Sequence, residues 1–207
     1  MFSFPSKLYP ITDRQISGLS HAEQVARLSS GGARLIQLRE KQLAPREFHR
    51  EAEEAIRVAR SAGIQIIIND RVDIALALKA DGVHLGQDDL PPEAARRMLG
   101  PDAVIGLSTH NAEQTQRAAA LPIDYIAFGP ICATQTKVNP DPVVGLNELR
   151  RIRTLVGSIP LVAIGGITAE NGAEVISSGA DAVAVIGALL REATAIAERT
   201  RHLLSLL

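Results

Sequence analysis

One cysteine, Cys132, is all the chain contains. That excludes an intramolecular disulfide and makes a reducing, cytoplasmic setting the expected one. An excess of either charge is lacking too: 22 Lys and Arg against 23 Asp and Glu leave a formal net charge of -1, which gives neither a basic footprint for nucleic acid nor a polybasic membrane signal. No apolar run approaches the roughly 18 residues that a membrane span needs. The opening "MFSFPSKLYPITD" is broken too soon by Pro5 and Pro10 to read as a secretory signal. Also missing are a P-loop, a serine nucleophile elbow and histidines at metal-ligand spacing. What the chain does have is ordinary globular usage: 207 residues, 46% hydrophobic and 22% charged. A chain of this size buries about 70% or more of the surface it exposes when unfolded. A single domain over residues 1–207, without a linker, is the expectation.

A unit recurs along it: an Ala- and charge-rich stretch, a Gly, then an apolar run rich in Val and Ile. The instances are "HAEQVARLSSGGARLIQLRE", "FHREAEEAIRVARSAGIQIIIND", "VDIALALKADGVHLGQ" and "AENGAEVISSGADAVAVIG". The first part of each reads as a helix. Ser20 and Glu23 form a capping box, and Pro45 suits a first helical turn. Gly32, Gly63, Gly82 and Gly179 are expected where helices stop. The apolar runs are continuous rather than alternating, as in parallel strands buried on both faces. Eight such runs occur: "KLYPIT", "RLIQLR", "QIIIN", "GVHLG", "AVIGLST", "YIAFGP", "PLVAIGG" and "AVAVIG". With seven helix-sized segments between them and the helical tail "REATAIAERTRHLLSLL", they fit an α/β fold, a single (β/α)8 TIM barrel. The alternative, a doubly wound sheet, expects a G-x-G-x-x-G after the first strand, which "LYPITDRQISG" lacks.

In such a barrel the C-terminal strand ends open on one face, where active sites are built. The polar clusters 37–41, Asn69-Asp70, 87–89, 108–110 and 134–137 all fall at or just past those ends. They bring the cations Arg39, Lys41 and Lys137 and the acids Asp70 and Asp89 to one mouth. Mutual surface pairing is one account of that set. The other is a Mg2+-diphosphate site, because Mg2+ is held by one or two carboxylates while phosphate oxygens and water complete its shell. A second phosphate site is suggested by "AIGGIT" and "VIGAL" after the seventh and eighth strands, although Gly165 and Gly166 also suit a plain tight turn. His84, inside a strand, is expected as a packed barrel residue, and Cys132 as a small apolar one.

The ordered set "QLREK", "INDR", "GVHLGQDD", "GLSTH", "FGPICATQTK" and "AIGGI" resembles the thiamine phosphate synthases, and the resemblance runs from "LYPITDR" to the last strand. It implies an enzyme that couples a hydroxymethylpyrimidine diphosphate with a thiazole phosphate, giving thiamine phosphate and pyrophosphate with Mg2+ as cofactor. By resemblance Gln37, Arg39, Glu40, Lys41, Asn69, Ser108 and Lys137 hold the pyrimidine diphosphate. Within that set Arg39, Lys41, Lys137 and Ser108 are catalytic. Asp70 and Asp89 match the Mg2+ ligands, and Thr134, Gln135, Thr136, Gly166, Ile186 and Gly187 hold the thiazole phosphate. The partners implied are two phosphorylated small molecules, with a homo-oligomer compatible and no nucleic acid or membrane. Gly187 stands where the family often has Ser, so a hydroxyl contact to that phosphate is missing. The stretch "CATQTKVNPDPVVG" is expected to act as a lid that excludes water. Two rivals remain open: a thiazole tautomerase paralogue, which tends to carry His where this chain has Pro130, and a non-catalytic thiamine phosphate sensor.

Overall fold

A computed structural model describes residues 2–134, 136 and 141–207. Eight parallel strands form a closed barrel in chain order. They are β1 (Leu8–Thr12), β2 (Leu35–Leu38), β3 (Gln65–Asn69), β4 (Gly82–Leu85), β5 (Val104–Thr109), β6 (Tyr125–Phe128), β7 (Leu161–Ile164) and β8 (Ala182–Val185). Pairing of Leu8 with Val183 and of Pro10 with Val185 joins β1 to β8 and closes the ring. The crossovers are carried by α1 (Arg14–Ser17) and α2 (His21–Ser30), α3 (Pro45–Ser61), α4 (Val72–Leu78), α5 (Pro92–Leu99), α6 (Ala112–Ala118), α7 (Gly145–Val156) and α8 (Gly172–Ser177). After β8 come α9 (Gly187–Leu190), a 3-10 turn (Ala193–Ala195) and α10 (Ile196–Leu206). The single helical tail expected from the sequence is thus split. Among the described residues no helix is long and apolar enough to cross a membrane.

Two apolar layers arise from the two-residue period of a strand. Outward-facing residues such as Ile36, Ile66, Val83, Ile105 and Val183 pack under the helices. Inward-facing Tyr9, Ile11, Leu35, Ile67, Tyr125, Ala127, Val162, Ala182 and Ala184 fill the barrel. Burial on both sides is why the strands read as unbroken apolar runs. At the N-terminal end Phe2 and Phe4 pack against the buried Tyr9 and Tyr125, with Phe4–Tyr125 ring centroids 5.2 Å apart.

Local signals act where the sequence places them. Glu23 N–H donates to Ser20 Oγ and Ser20 N–H to Glu23 Oε2, a full capping box for α2. Pro45 opens α3. Gly32, Gly63 and Gly179 take positive φ just past α2, α3 and α8. Gly82 does not stop a helix: α4 ends on Lys79 in the left-handed region, and Gly82 is the first residue of β4. Its role is steric, since a Cβ there would lie 1.9 Å from the Val104 carbonyl oxygen of the adjacent strand. Close strand approach, rather than a turn, requires that glycine.

Candidate active site

Along the barrel axis the inward positions change character. Below, Leu35, Ile67 and Tyr125 are apolar and buried. Two residues further along β2 and β3, and at the matching level of β4 and β5, stand Gln37, Asn69, His84 and Ser108, and all four line a cavity of about 920 Å³. On β6 to β8 the lining is Ala127, Ile164 and Ala184 instead. One half of the mouth is therefore polar at its base and the other is not, and the volume is ample for small ligands.

Above the polar half sit the charged strand-end residues. Arg39 Nη1 donates to Asp13 Oδ2 at 2.5 Å. Asp13 is itself fixed, because its other oxygen caps α1 by accepting from Gln15 and Ile16 N–H while its own N–H donates to Gln24 Oε1. Lys41 Nζ lies 2.5 Å from Asp70 Oδ2. Asp70 has φ 62, a left-handed conformation uncommon for a residue other than glycine and frequent at functional sites. Its N–H donates to the His84 carbonyl at 2.8 Å. Asp89 Oδ2 accepts from Gly86 N–H at 2.7 Å. Burial raises the Asp89 carboxyl above its ordinary pKa, against that N–H, and the Asp70 carboxyl within hydrogen-bonding reach raises it further. Two carboxyls are thus held together at the cavity wall, where each disfavours ionisation of the other.

A chain of hydrogen bonds crosses the cavity base. Gln37 Nε2 donates to Tyr9 Oη (3.1 Å), Tyr9 Oη meets Tyr125 Oη (3.0 Å), Tyr125 Oη meets His84 Nδ1 (2.9 Å), and His84 Nε2 meets Ser108 Oγ (2.8 Å). The Gln37 amide nitrogen can only donate, so every proton finds an acceptor in one direction alone: Tyr9 to Tyr125, Tyr125 to His84 Nδ1, His84 Nε2–H to Ser108. Burial drives the imidazole pKa down to about 4, with Asp89 opposing and Lys41 assisting, so His84 is neutral at pH 7 and carries its proton on Nε2. The hydroxyl proton of Ser108 is left to face the cavity. Gly106 makes the arrangement possible, since a Cβ there would lie 2.0 Å from the Tyr125 ring. His84 is packed, as the sequence implied, stacked on Tyr125 at 5.5 Å, and it also lines the site.

The other half of the mouth is built by loops. Thr134, Thr136, Gly165, Gly166, Ile186, Gly187 and Arg191 line it. Gly166 has φ 64, and a Cβ on it would lie 2.4 Å from the Ala133 carbonyl oxygen, so the loop after β7 needs glycine to pack on the segment after β6. Thr136 N–H donates to Thr134 Oγ1 at 3.2 Å.

Of the residues singled out from sequence, Gln37, Arg39, Lys41, Asn69, Asp70, Asp89, Ser108, Thr134, Thr136, Gly166, Ile186 and Gly187 converge on this one cavity. Glu40 does not join them: its carboxylate accepts from Gln42 and Leu43 N–H and lies 3.5 Å from the buried His21 Nε2. Gln135 and Lys137 lie outside the described residues, as does much of the expected lid, residues 137–140. Sequence reasoning gave no role to Asp13, Tyr9, Tyr125 or Arg191. Tyr9 and Tyr125 had a usable signal in the inward register of β1 and β6.

The thiamine monophosphate synthase family matches residues 8–189. The thiamine-phosphate synthase of Koribacter versatilis is 49% identical over 191 residues, covering 89% of each chain. That of Chloroflexus aurantiacus is 45% identical over 202 residues, covering 96% of this chain and 93% of the other. Among solved structures, thiamine phosphate pyrophosphorylase from Pyrococcus furiosus superposes with a TM-score of 0.86 at 36% identity, covering 97% of this chain and 94% of that one. With the match spanning β1 through most of α9 and relatives this similar over nearly their whole length, the chain belongs to the thiamine monophosphate synthase family.

Proposed function

We propose that this chain is a transferase that joins a pyrimidinylmethyl diphosphate to a thiazole phosphate, releasing pyrophosphate and forming thiamine phosphate. The observation that carries the reading is the shared mouth. A charged half, with Arg39, Lys41, Asp70 and Asp89, faces a glycine- and threonine-rich half across one cavity. Two phosphorylated ligands of different kinds suit those two halves.

The donor chemistry fits Mg2+. Asp70 and Asp89 place carboxyls side by side, an arrangement that burial and mutual repulsion penalise and that Lys41 only partly offsets, so a divalent cation would suit it. No group of three or more His, Cys, Asp and Glu side chains occurs there among the described residues, which leaves most of a six-oxygen shell to ligand phosphates and water. Bound by Asp70 and Asp89, Mg2+ would neutralise the diphosphate and make it a better leaving group.

The chain's own residues supply the rest. Arg39 and Lys41, at the end of β2 and just beyond, face charge that grows on the diphosphate as its bond to the pyrimidinylmethyl carbon breaks. Lys137 joins them by resemblance. Preorganised charge of this kind is usually the largest contribution to catalysis. Asp13 holds the Arg39 guanidinium in one orientation. Ser108, held by His84, offers its hydroxyl proton to the pyrimidine diphosphate. The carbon left electron-poor accepts the lone pair of the thiazole nitrogen, so no general base is needed for bond formation. Holding both ligands in one cavity makes their meeting nearly unimolecular, worth about 7 to 11 kcal/mol.

The test is pyrophosphate release by the purified protein with both substrates, with each omitted in turn, and with EDTA in place of Mg2+. Release that needs both substrates and the metal, with thiamine phosphate formed, is expected. Release without the thiazole phosphate at the same rate would refute the coupling.

A further inference from the structure

We infer that Arg191 is the side chain that binds the phosphate of the second substrate, and that Gly187 is small in order to admit it. This deepens the proposed function and rests on its reading of the glycine-rich half as a phosphate pocket.

Arg191 comes one helical turn after Gly187, and its backbone N–H donates to the Gly187 carbonyl at 3.2 Å. From there the guanidinium folds back over Gly187 and lines the cavity. A Cβ placed on Gly187 would lie 3.3 Å from Arg191 Nε, 3.9 Å from Nη2 and 3.4 Å from Thr136 Oγ1. The space above Gly187 is therefore bounded by a guanidinium on one side and a hydroxyl on the other. Any larger side chain at position 187 would occupy it.

The pattern of charge pairing points the same way. Arg39 is paired with Asp13 and Lys41 with Asp70. The acid next to Arg191 in sequence, Glu192, is taken by Arg199 at 2.6 Å. Among the described residues Arg191 forms no ion pair and no side-chain hydrogen bond, although it stands at the cavity wall. A planar guanidinium whose N–H groups are uncommitted among the described residues matches the oxygens of a phosphate monoester bidentately. Thr136 Oγ1 is a further donor beside the same space. The hydroxyl that a serine at 187 would bring is thus replaced by a charge from one turn further along. Arg191 becomes the residue that separates a phosphorylated thiazole from its free alcohol.

The experiment compares the wild type with Arg191→Ala and Arg191→Lys in two measurements. The first is steady-state coupling at varied concentrations of each substrate. The second is calorimetric binding of hydroxyethylthiazole phosphate, of the unphosphorylated alcohol and of inorganic phosphate. Charge-assisted hydrogen bonds to a phosphate correspond to roughly 10- to 100-fold in affinity. Arg191→Ala is expected to raise KM and Kd for the phosphate ester by that factor. It should leave KM for the pyrimidine diphosphate, kcat and binding of the alcohol within about twofold, and Arg191→Lys should recover part of the loss. Arg191 is exposed, so the variants should fold as the wild type does. A wild type that couples both substrates, with Arg191→Ala binding the phosphate ester unchanged, would overturn the inference while sparing the proposed function. A wild type that releases no pyrophosphate, yet binds the ester in a manner that Arg191→Ala abolishes, would sink the coupling and sustain the Arg191 assignment.

Discussion

Replacing Tyr125 by Phe removes a single oxygen from the base of the cavity and leaves its ring in place. The ring contacts, with Phe4 at 5.2 Å and His84 at 5.5 Å, stay available to phenylalanine. The lost hydroxyl lies between two buried partners, Tyr9 Oη at 3.0 Å and His84 Nδ1 at 2.9 Å. One of them keeps a proton without an acceptor and the other a lone pair without a donor. At about 1 to 3 kcal/mol for each stranded buried group, the expected cost is about 2 to 6 kcal/mol. For a chain of this length that lowers the melting temperature by roughly 4 to 24 °C. Tyr9→Phe strands Gln37 Nε2 and the Tyr125 hydroxyl instead, at a similar cost to stability. It leaves the bond that orients His84 intact, so Tyr125→Phe should lower turnover more than Tyr9→Phe does. The double variant should cost less than the sum of the two, because the bond they share is removed only once. Urea denaturation at pH 7 and pyrophosphate release measure both quantities. Single costs under about 0.5 kcal/mol together with strict additivity would show that the chain of hydrogen bonds is not a unit, and the directional assignment built on it would fall.

Asp89→Asn should cut pyrophosphate release at least a hundredfold, on the scale of about 2.7 to 4 kcal/mol for one transition-state contact, while urea stability holds or rises because a like-charge neighbour of Asp70 is gone. Near-normal release would remove Asp89 from the site. Gly82→Ala, far from the chemistry, should cost about 3 kcal/mol, since its Cβ would lie 1.9 Å from the Val104 carbonyl oxygen; an unchanged denaturation midpoint would contradict the packing described for β4 and β5. Acid should destabilise the fold through His84, whose pKa is lowered from 6.5 to about 4 on folding. The unfolded chain binds that proton more readily, so the contribution is complete above pH 6.5 and fades as pH falls toward 4, with a slope of up to about 1.4 kcal/mol per pH unit. Asp89, whose pKa is raised, acts in the opposite sense. His84→Gln should flatten the acid limb between pH 6.5 and 4; an equally steep limb in that variant would assign the slope to other groups.

The barrel was legible in the sequence because strands buried on both faces leave unbroken apolar runs, and the convergence of the site could be inferred from where those runs end. Side-chain direction was not legible at the same level. Glu40 lies between Arg39 and Lys41, yet the chain turns there and its carboxylate is claimed by Gln42 and Leu43 N–H. Gly82 looked like a helix stop because a turn glycine and a glycine that lets two strands approach have the same letter. The short helices α1 and α9 carry too few residues for a period to declare itself. Asp13 was visible within "ITDR", but its partner Arg39 lies 26 residues away, a contact that only the closed barrel creates. Arg191 reads as one more charge in a polar tail until α9 folds its guanidinium back over Gly187.

The aromatic plug has a consequence for traffic. Tyr9 and Tyr125 fill the barrel centre, with Phe2 and Phe4 packed beneath them, so nothing passes through to the N-terminal end. Both reactants and both products of the proposed coupling must then use the same opening. A product that spans the two halves therefore has to leave by that opening before either half can be refilled.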